Sequence, residues 1–498
     1  MVKLSKAREI AEKIPDEATL ALSGSGGGLL EADYILQAIE NCFLETGHPK
    51  NITLVHALGI GDGKGSGVGR FAHKGMVRRV VGGHWSWAPE MQKLARNNEI
   101  EAYSLPAGMI QTLFREIGAG RPGVISSTGL GTFADPIHGG GKCNSRAKEE
   151  IVERVHFAGE ELLWYKPFEV DVAIVCGSAL DVNGNISTSR EAADIDVFSV
   201  ALAGHNSGGQ VFAQVGRVLE TGICPARLVC IPGVLIDEVV VYKEQQQTSA
   251  GVYDPIISGE REPPPEIGVG APPEGVRRIV CARAAEELQA GKSVNFGFGI
   301  PDGIPALARE LGKNIDWMSV EQGLHNAELL GGALFGAGRY PQAILSSNDQ
   351  FDFYNGGGVD LAFLGMGQID RHGNVNVSWI GEDIVGPGGF IDITQSAKKV
   401  VFCGTFEAKG LKVTQNDDGR ISIQQYGEIG KIVEEVRHIT FSGNRALETG
   451  QQVLYITERA VFDLTSDGIR LIEISPGVDL QRDVLERIPF EPLIAFQA

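Results

Sequence analysis

The chain has 498 residues, with 44 Lys and Arg against 63 Asp and Glu, a net charge of −19 and 43% hydrophobic residues. That hydrophobic content excludes bulk disorder, and the acidic balance disfavours a nucleic-acid-binding protein, whose affinity comes mainly from phosphate neutralisation. No uncharged apolar run reaches the roughly 18 residues of a membrane span, and the N-terminus lacks an apolar signal core. We therefore expect a cytoplasmic protein without membrane or nucleic-acid partners.

Short apolar runs alternate with helical patterns along the chain, which predicts an α/β fold. Helical spacing occurs first at residues 6–14, 31–44, 109–118 and 147–155, and strand-like runs follow at 170–176, 227–231 and 238–242. In the second half, helical spacing at 276–289 and 303–311 precedes strand-like runs at 359–364, 399–403 and 453–456. Continuous apolar strands of this kind are typical of parallel sheets covered on both faces.

The alternation stops at residues 245–275, which are rich in Gln, Pro and Gly. Proline lacks the donor that helices and sheets need, so this stretch favours an extended linker. We therefore predict an N-terminal domain over 1–245, a linker over 246–275 and a C-terminal domain over 276–498.

A repeat connects the two predicted domains. Val170-Asp171 begins a pattern that continues to Asp181-Val182-Asn183-Gly184-Asn185, and Val359-Asp360 begins the same pattern, which continues to Asp370-Arg371-His372-Gly373-Asn374. Each copy has an apolar run and then an Asp followed three residues later by Gly-Asn. Two related α/β domains are therefore expected, and a site at their interface is a common arrangement.

Two glycine loops lie between a predicted strand and a predicted helix. One comprises Ser23, Gly24, Ser25, Gly26 and Gly27, and the other contains Gly297 and Gly299. Backbone N–H groups at such a place can hold an anion. The alternative is a strand–helix turn in which glycine only provides a positive φ.

One carboxylate and one histidine are the other candidates. Glu321 follows the short apolar run Trp317-Met318-Ser319-Val320 and precedes Gly323, so it is either a nucleophile at a strand exit or an acid at a helix N-terminus. His84, in Gly83-His84-Trp85-Ser86-Trp87, lies among aromatic residues, which favours a structural role. No His or Cys spacing indicates a metal site.

An ordered series of motifs resembles the single-chain family I CoA-transferases, of the propionate and acetate CoA-transferase type, within the 3-oxoacid CoA-transferase superfamily. The resemblance covers nearly the whole chain. Among its motifs are Phe43-Leu44-Glu45-Thr46-Gly47, Gly83-His84-Trp85, Gly139-Gly140-Gly141-Lys142, Gln350-Phe351-Asp352, Cys403-Gly404-Thr405-Phe406 and Tyr455-Ile456-Thr457-Glu458-Arg459. It implies two related open α/β domains, joined by the Pro-rich linker, with the active site at their interface.

The resemblance also implies a function. Glu321 matches the family's catalytic glutamate, which takes CoA from a short- or medium-chain acyl-CoA as a glutamyl-CoA thioester and passes it to an acceptor carboxylate. Gly388 or Gly389 matches the family's backbone donor region, and small carboxylates are expected at residues 23–28. The CoA-contacting loops of the family match the loops that contain Gly297, Gly299, Gly365 and Gly367. Coenzyme A is then a substrate, with no metal or other cofactor, and a homo-oligomer is expected.

The sequence departs from the family pattern at the acyl end. Ala107 stands where a Gln amide commonly precedes Gly108, and Val320 and Gln322 flank Glu321 in place of smaller residues. An alanine side chain cannot donate to an oxyanion. Two alternatives therefore stay open: a CoA-thioester hydrolase or C–C-cleaving relative on the same fold, and a non-catalytic acyl-CoA-binding protein.

Overall fold

The computed structural model describes residues 2–219, 222–263, 271–334 and 336–496. In the first half the strands are β1 (Lys3–Leu4), β2 (Thr19–Leu22), β3 (Ile52–His56), β4 (Val77–Gly82), β5 (Glu101–Ser104), β6 (Val124–Ser126), β7 (Val152–Phe157), β8 (Glu160–Tyr165), β9 (Val172–Leu180), β10 (Ile186–Ser187), β11 (Gln210–Val218), β12 (Val229–Ile231) and β13 (Glu238–Val241). The helices are α1 (Ala7–Ala11), α2 (Asp33–Thr46), α3 (Pro89–Arg96), α4 (Ala107–Gly118) and α5 (Val197–Asn206).

The second half carries the helices α6 (Gly275–Ala285), α7 (Ile304–Glu310), α8 (Ser347–Asn355), α9 (Phe390–Ser396) and α10 (Gly443–Glu448). The strands up to residue 384 are β14 (Ser293–Phe296), β15 (Trp317–Ser319), β16 (Leu324–His325), β17 (Glu328–Leu329), β18 (Gly338–Arg339), β19 (Ala343–Ile344), β20 (Leu361–Gly365), β21 (Gln368–Asp370), β22 (Val375–Asn376), β23 (Trp379–Ile380) and β24 (Asp383–Ile384). The later strands are β25 (Lys399–Cys403), β26 (Glu407–Ala408), β27 (Lys412–Gln415), β28 (Ile421–Gln425), β29 (Ile429–Gly430), β30 (Ile432–Val433), β31 (Gln452–Ile456), β32 (Ala460–Thr465), β33 (Gly468–Ile474) and β34 (Leu493–Ile494).

Each half is built on its own large sheet, and the α/β prediction is confirmed. The first sheet runs β1-β13-β11-β9-β2-β3-β4-β5, with every neighbouring pair parallel. The second runs β19-β16-β15-β14-β20-β25-β31-β32-β33-β34, and its central part from β15 to β31 is parallel. All nine residues of β9 are buried, as expected for a strand covered on both faces.

The sequence repeat corresponds to a structural repeat. The side chain of Asp181 accepts hydrogen bonds from the backbone of Asn183 and Asn185. Asp370 holds His372 and Asn374 through the same bonds, so each copy is one turn closed by an aspartate. The strands before these turns occupy matching positions, because β9 lies beside β2 and β20 lies beside β14.

The helix predicted at residues 147–155 is wrong. A strand, β7, begins at Val152 and forms a hairpin with β8, whose two-residue connection places Ala158 at φ +52° and Gly159 at φ +89°. Positive φ at both central residues is the geometry that favours a tight hairpin. The three-residue spacing of Val152 and Val155 imitated a helix, whereas cross-strand pairing determined the structure.

Backbone hydrogen bonds join the two halves beside the carboxyl ends of β4 and β5. The Gly388 N–H donates to the Gly83 carbonyl at 2.8 Å, and the Gly388 carbonyl accepts from Ala107 N–H at 2.9 Å. The Trp85 N–H likewise donates to the Val385 carbonyl at 2.8 Å. The loop after β4 is therefore fixed against the loop before α9. No helix or strand occurs among the described residues between Val241 and Gly275, and the domain limits at 245 and 275 stay a prediction.

Candidate active site

Glu321 lies just beyond the carboxyl end of β15, the strand at which the parallel part of the second sheet begins. The chain reverses there through Gly323, which has φ +98°, and continues into β16. A Cβ on Gly323 would lie 2.1 Å from the Leu345 carbonyl oxygen, so the turn requires glycine. Because a strand follows, the interpretation of Glu321 as a helix N-terminal acid is wrong.

Both carboxylate oxygens of Glu321 have hydrogen-bond donors. Oε2 accepts from the Gly389 N–H at 2.9 Å, and Oε1 accepts from Gln322 Nε2 at 3.4 Å. Burial nevertheless raises the pKa of Glu321 to about 7, because the loss of solvent outweighs the two hydrogen bonds that stabilise its charge. A carboxylate with a raised pKa is more basic than a solvent-exposed one, which suits a nucleophile.

Gly388 and Gly389 immediately precede α9, and Gly389 has no room for a side chain. A Cβ on Gly389 would lie 2.2 Å from Glu321 Oε2, and Gly388 adopts φ +51°. The Gly389 N–H can approach the carboxylate only because no side chain intervenes. This amide is placed to stabilise negative charge that develops on the glutamyl oxygen.

Glu321 lies in the wall of a cavity of about 600 Å³ between the two halves. The first half contributes Ser25, Gly26, Leu58, Gly59, Gly63, His84, Ser86 and Trp87. The second contributes Asn295, Phe296, Gly297, Phe298, Val320, Glu321, Gln322, Leu364, Gly365, Val377, Ile380, Val385, Pro387, Gly388, Gly389, Phe390 and Ile393.

The predicted CoA-contacting glycines divide into two groups. Gly297 and Gly365 line the cavity with Glu321, and a Cβ on Gly297 would lie 2.6 Å from Leu364 Cδ2. Gly299 and Gly367 do not line it. The N–H of Gly299 is used by Asp302 at 3.0 Å, and that of Gly367 by the Asn376 carbonyl at 3.1 Å.

The loop predicted to hold carboxylates is divided in the same way. Ser25 and Gly26 line the cavity with Glu321, whereas Gly27 lines a neighbouring cavity of about 680 Å³. The buried Ser23 hydroxyl donates to Asp196 Oδ1 at 2.6 Å, and a Cβ on Gly24 would lie 3.2 Å from the Glu31 side chain. Part of this loop therefore reaches the site, and part supports the protein interior.

The two glycine loops are equivalent positions of the structural repeat. The Ser23 N–H donates to the Ile174 carbonyl on β9, and the Gly297 N–H donates to the Phe363 carbonyl on β20. Both loops therefore leave a central parallel strand at the same register. Ligands of open α/β sheets bind beyond the carboxyl ends of such strands, and here the ends of two sheets meet at one cavity.

The sequence prediction missed two side chains of the cavity wall. His84, which the sequence favoured as structural, and Trp87, to which it assigned no role, both line it. A Cβ on Gly26 would lie 2.2 Å from Trp87 Nε1, so the indole packs directly on the glycine loop. The available signal was the position of His84 two residues past a parallel strand, where functional side chains of α/β proteins collect.

Ala107, where the family commonly has Gln, lies outside this cavity. It begins α4, is fully buried, and its N–H donates a hydrogen bond to the Gly388 carbonyl.

Among the described residues, no group of three or more His, Cys, Asp or Glu is arranged to hold a metal ion. Within the same ranges, no helix has the length and apolar character to cross a bilayer.

Comparison with known proteins places the chain in a family. Residues 4–242 match the family model described as Coenzyme A transferase. The acetate CoA-transferase YdiF of Escherichia coli K12 is 40% identical over 496 residues, which is 99% of this chain and 93% of that protein. The caffeate CoA-transferase of Acetobacterium woodii is 40% identical over 506 residues, covering 99% of this chain and 95% of that protein.

A solved structure extends the likeness to three dimensions. The acyl-CoA transferase YdiF from E. coli O157:H7, crystallised as a thioester complex with CoA, is 39% identical and matches with a TM-score of 0.93. The match covers 99% of this chain and 94% of that chain. Sequence and fold agree over nearly the full length, and the chain therefore belongs to the coenzyme A transferase family and is an enzyme of the CoA-transferase type.

Proposed function

We propose that this enzyme moves CoA from an acyl-CoA to an acceptor carboxylate through a covalent thioester on Glu321. The observation that carries the proposal is the position of Glu321, in the wall of a cavity between the two halves, with Gly389 N–H 2.9 Å from Oε2. The thioester complex with CoA of the YdiF relative supports the same intermediate.

The proposed chemistry balances without any further reagent. The Glu321 carboxylate attacks the acyl carbonyl of R–CO–S–CoA, the C–S bond breaks, and a mixed anhydride and CoA thiolate result. The thiolate then attacks the glutamyl carbonyl of the anhydride, which forms the glutamyl–S–CoA thioester and releases R–COO⁻. An acceptor carboxylate reverses both steps, so that the new acyl-CoA leaves and the free Glu321 carboxylate returns.

The cavity wall favours acyl groups without a second charge. No Lys or Arg occurs among the described residues that line it, and Glu321 supplies a negative charge inside it. A dicarboxylate would therefore place its second carboxylate without a cationic partner against a largely apolar wall, which is costly. We propose that monocarboxylates of short or medium chain are the substrates, and the acetate and caffeate CoA-transferase relatives are both named for monocarboxylates.

Intact-mass spectrometry tests the covalent step directly. Wild-type protein mixed with acetyl-CoA, without acceptor, is expected to gain the mass of CoA less water and to lose it when propionate is added. Glu321→Gln gains no such mass, whereas Glu328→Gln, which changes a partly buried glutamate outside this cavity, behaves as wild type. Steady release of free CoA without an adduct or acceptor would instead indicate a hydrolase.

We also propose that coenzyme A is required only as a substrate, that the enzyme is a cytoplasmic homo-oligomer, and that nucleic acid is not a partner. On this proposal, we expect the activity to withstand chelation. Turnover after dialysis against EDTA tests the first point, and light scattering coupled to size-exclusion chromatography tests the second. Activity lost on chelation, or a monomeric mass, would contradict them.

A further inference from the structure

His84 is held rigidly at the junction of the two halves. It follows β4 by two residues, and its neighbours bind the opposite loop, since Gly83 accepts from Gly388 N–H and Trp85 donates to the Val385 carbonyl. The backbone on either side of the ring therefore cannot move without breaking contacts between the halves. The ring itself is part of the wall of the cavity that contains Glu321.

The polar atoms of this ring are unused by the protein. Nδ1 is buried and has no hydrogen-bond partner in the described ranges, and no described residue binds Nε2. His56, a nearby structural histidine, differs because its Nδ1 is 2.8 Å from the Leu58 carbonyl oxygen. A buried imidazole without a protein partner is an exception that requires an explanation.

The state of the ring follows from its surroundings. Burial lowers the pKa of His84 to about 4, so the ring is neutral at physiological pH. A neutral imidazole carries one N–H, and Nδ1 has no acceptor within reach. With the proton on Nε2, the ring can donate a hydrogen bond to a molecule in the cavity.

His84 and Glu321 flank one small empty volume. The point where a Cβ on Gly388 would lie is 3.7 Å from His84 Cδ2 and 3.9 Å from Glu321 Oε1. Glycine at 388 keeps that point empty. A carbonyl group attacked by Glu321 would occupy this volume, within reach of both side chains.

The proposed reaction needs two separate oxyanion donors. Gly389 N–H serves the glutamyl oxygen, because it already binds Glu321 Oε2. The oxygen of the substrate acyl group needs another donor. Ala107 lies outside the cavity, and Asn295 Nδ2 is already bound to the Ser319 carbonyl and the Tyr354 hydroxyl.

We propose that neutral His84 donates a hydrogen bond from Nε2–H to the substrate acyl oxygen as that oxygen becomes negatively charged. No proton is transferred, and the ring is unchanged after each step. This role rests on the proposed attack by Glu321. It assigns to His84 the donor function that the resemblance places at the Gln position now occupied by Ala107.

Variants that move the donor test this proposal. The rate of CoA adduct formation from acetyl-CoA is followed by rapid quench and intact mass for wild type, His84→Ala, His84→Asn and His84→Gln. Loss of one oxyanion donor is expected to slow adduct formation by about 10²–10³-fold in His84→Ala. The Gln amide reaches as far as Nε2 and is expected to recover most of the rate, whereas the shorter Asn amide is not.

Two measurements and a control variant separate this role from a structural one. The dissociation constant of each variant for CoA is expected to stay within about threefold of the wild-type value. Thermal unfolding shows whether each variant folds. His73→Ala serves as the control, because His73 lies outside the cavity. Adduct formation by His84→Ala at the wild-type rate, or equal rates for the Asn and Gln variants, would overturn the proposal. Wild type that forms no adduct would overturn the Glu321 mechanism itself.

Discussion

The reactivity of single residues at this site depends on the removal of water and the absence of side chains. Glu321 is a weak nucleophile when solvated, yet burial raises its pKa to about 7 while Gly389 N–H holds Oε2. Binding energy from the remote part of CoA can then be used to bring the acyl carbon to the carboxylate. In the proposed reaction, exclusion of water would also protect the anhydride and the thioester from hydrolysis.

A methyl group at Gly389 is expected to disable the site. In Gly389→Ala the Cβ would lie 2.2 Å from Glu321 Oε2, so the carboxylate must leave its donor. We expect CoA adduct formation to slow by about 10²–10³-fold, as measured by quenched intact mass. Gly331→Ala is the control and should retain the wild-type rate, because nothing lies within 4 Å of the new Cβ. An equal loss of rate in both variants would contradict a steric effect on Glu321.

The pH dependence of kcat/KM follows from the raised pKa of Glu321. The nucleophile must be ionised, so kcat/KM for the acyl-CoA should rise with pH and level off above about pH 7. At pH 6 we expect a value about tenfold below the plateau, because kcat/KM reports the free enzyme. Steady-state rates from pH 5 to 9 measure this pH dependence, and unfolding temperatures over the same range show that the enzyme stays folded. A kcat/KM that is constant down to pH 5 would exclude a raised pKa for the nucleophile.

Among the secondary-structure elements, the hairpin of β31 and β32 depends on a buried arginine. Arg459 is fully buried, and its guanidinium lies 2.7 Å from Glu458, 3.2 Å from Glu407 and 3.1 Å from the Asp483 carbonyl oxygen. It therefore ties the hairpin to β26 and to the chain near residue 483. The motif that contains it supports the fold at a distance from the cavity.

Arg459→Leu is expected to destabilise the protein by about 3–5 kcal/mol, because it leaves the buried Glu458 carboxylate without its guanidinium and removes one of the two arginines that pair with Glu407. The measurement is the free energy of unfolding from urea titrations. Arg121→Leu removes an exposed ion pair with Glu116 and should cost less than about 1 kcal/mol. A similar small cost for Arg459→Leu would mean that the buried cluster does not stabilise the fold.

At the scale of the whole molecule, several buried carboxyl groups oppose folding as the pH rises. Burial raises the pKa of Glu31 to about 8, of Glu191, Glu321 and Asp392 to about 7, and of Asp196 to about 6. Between the unfolded values near 4 and these folded values, the native state binds more protons than the unfolded state. Stability should therefore fall as pH increases through this window.

Glu31→Gln removes the group with the largest of these pKa shifts and replaces it with a side chain of similar size. Wild type is expected to lose stability from pH 5.5 to 8.5, and the variant should lose about 1–3 kcal/mol less over that range. Urea titrations at the two pH values measure the difference, with the exposed Glu491→Gln as control. An identical pH dependence in Glu31→Gln and wild type would show that Glu31 does not titrate with a raised pKa.

The amino-acid sequence by itself determined the α/β class, several of the central strands and the repeat, and it indicated Glu321 as one candidate for catalysis. Those features are local, because apolar runs, glycine turns and short motifs are readable without knowledge of partners. Residues 399–403, for example, form β25 with the predicted limits. The family resemblance then connected Glu321 to a reaction.

Only the tertiary structure decided which of the candidate residues meet. It brings Ser25, Gly297 and His84 to one cavity with Glu321, and it directs Ser23 to Asp196 and Gly299 to Asp302. It also made residues 152–157 a strand, through pairing with β8. Such outcomes depend on contacts between segments far apart in the chain, whose burial and hydrogen bonding outweigh local preferences.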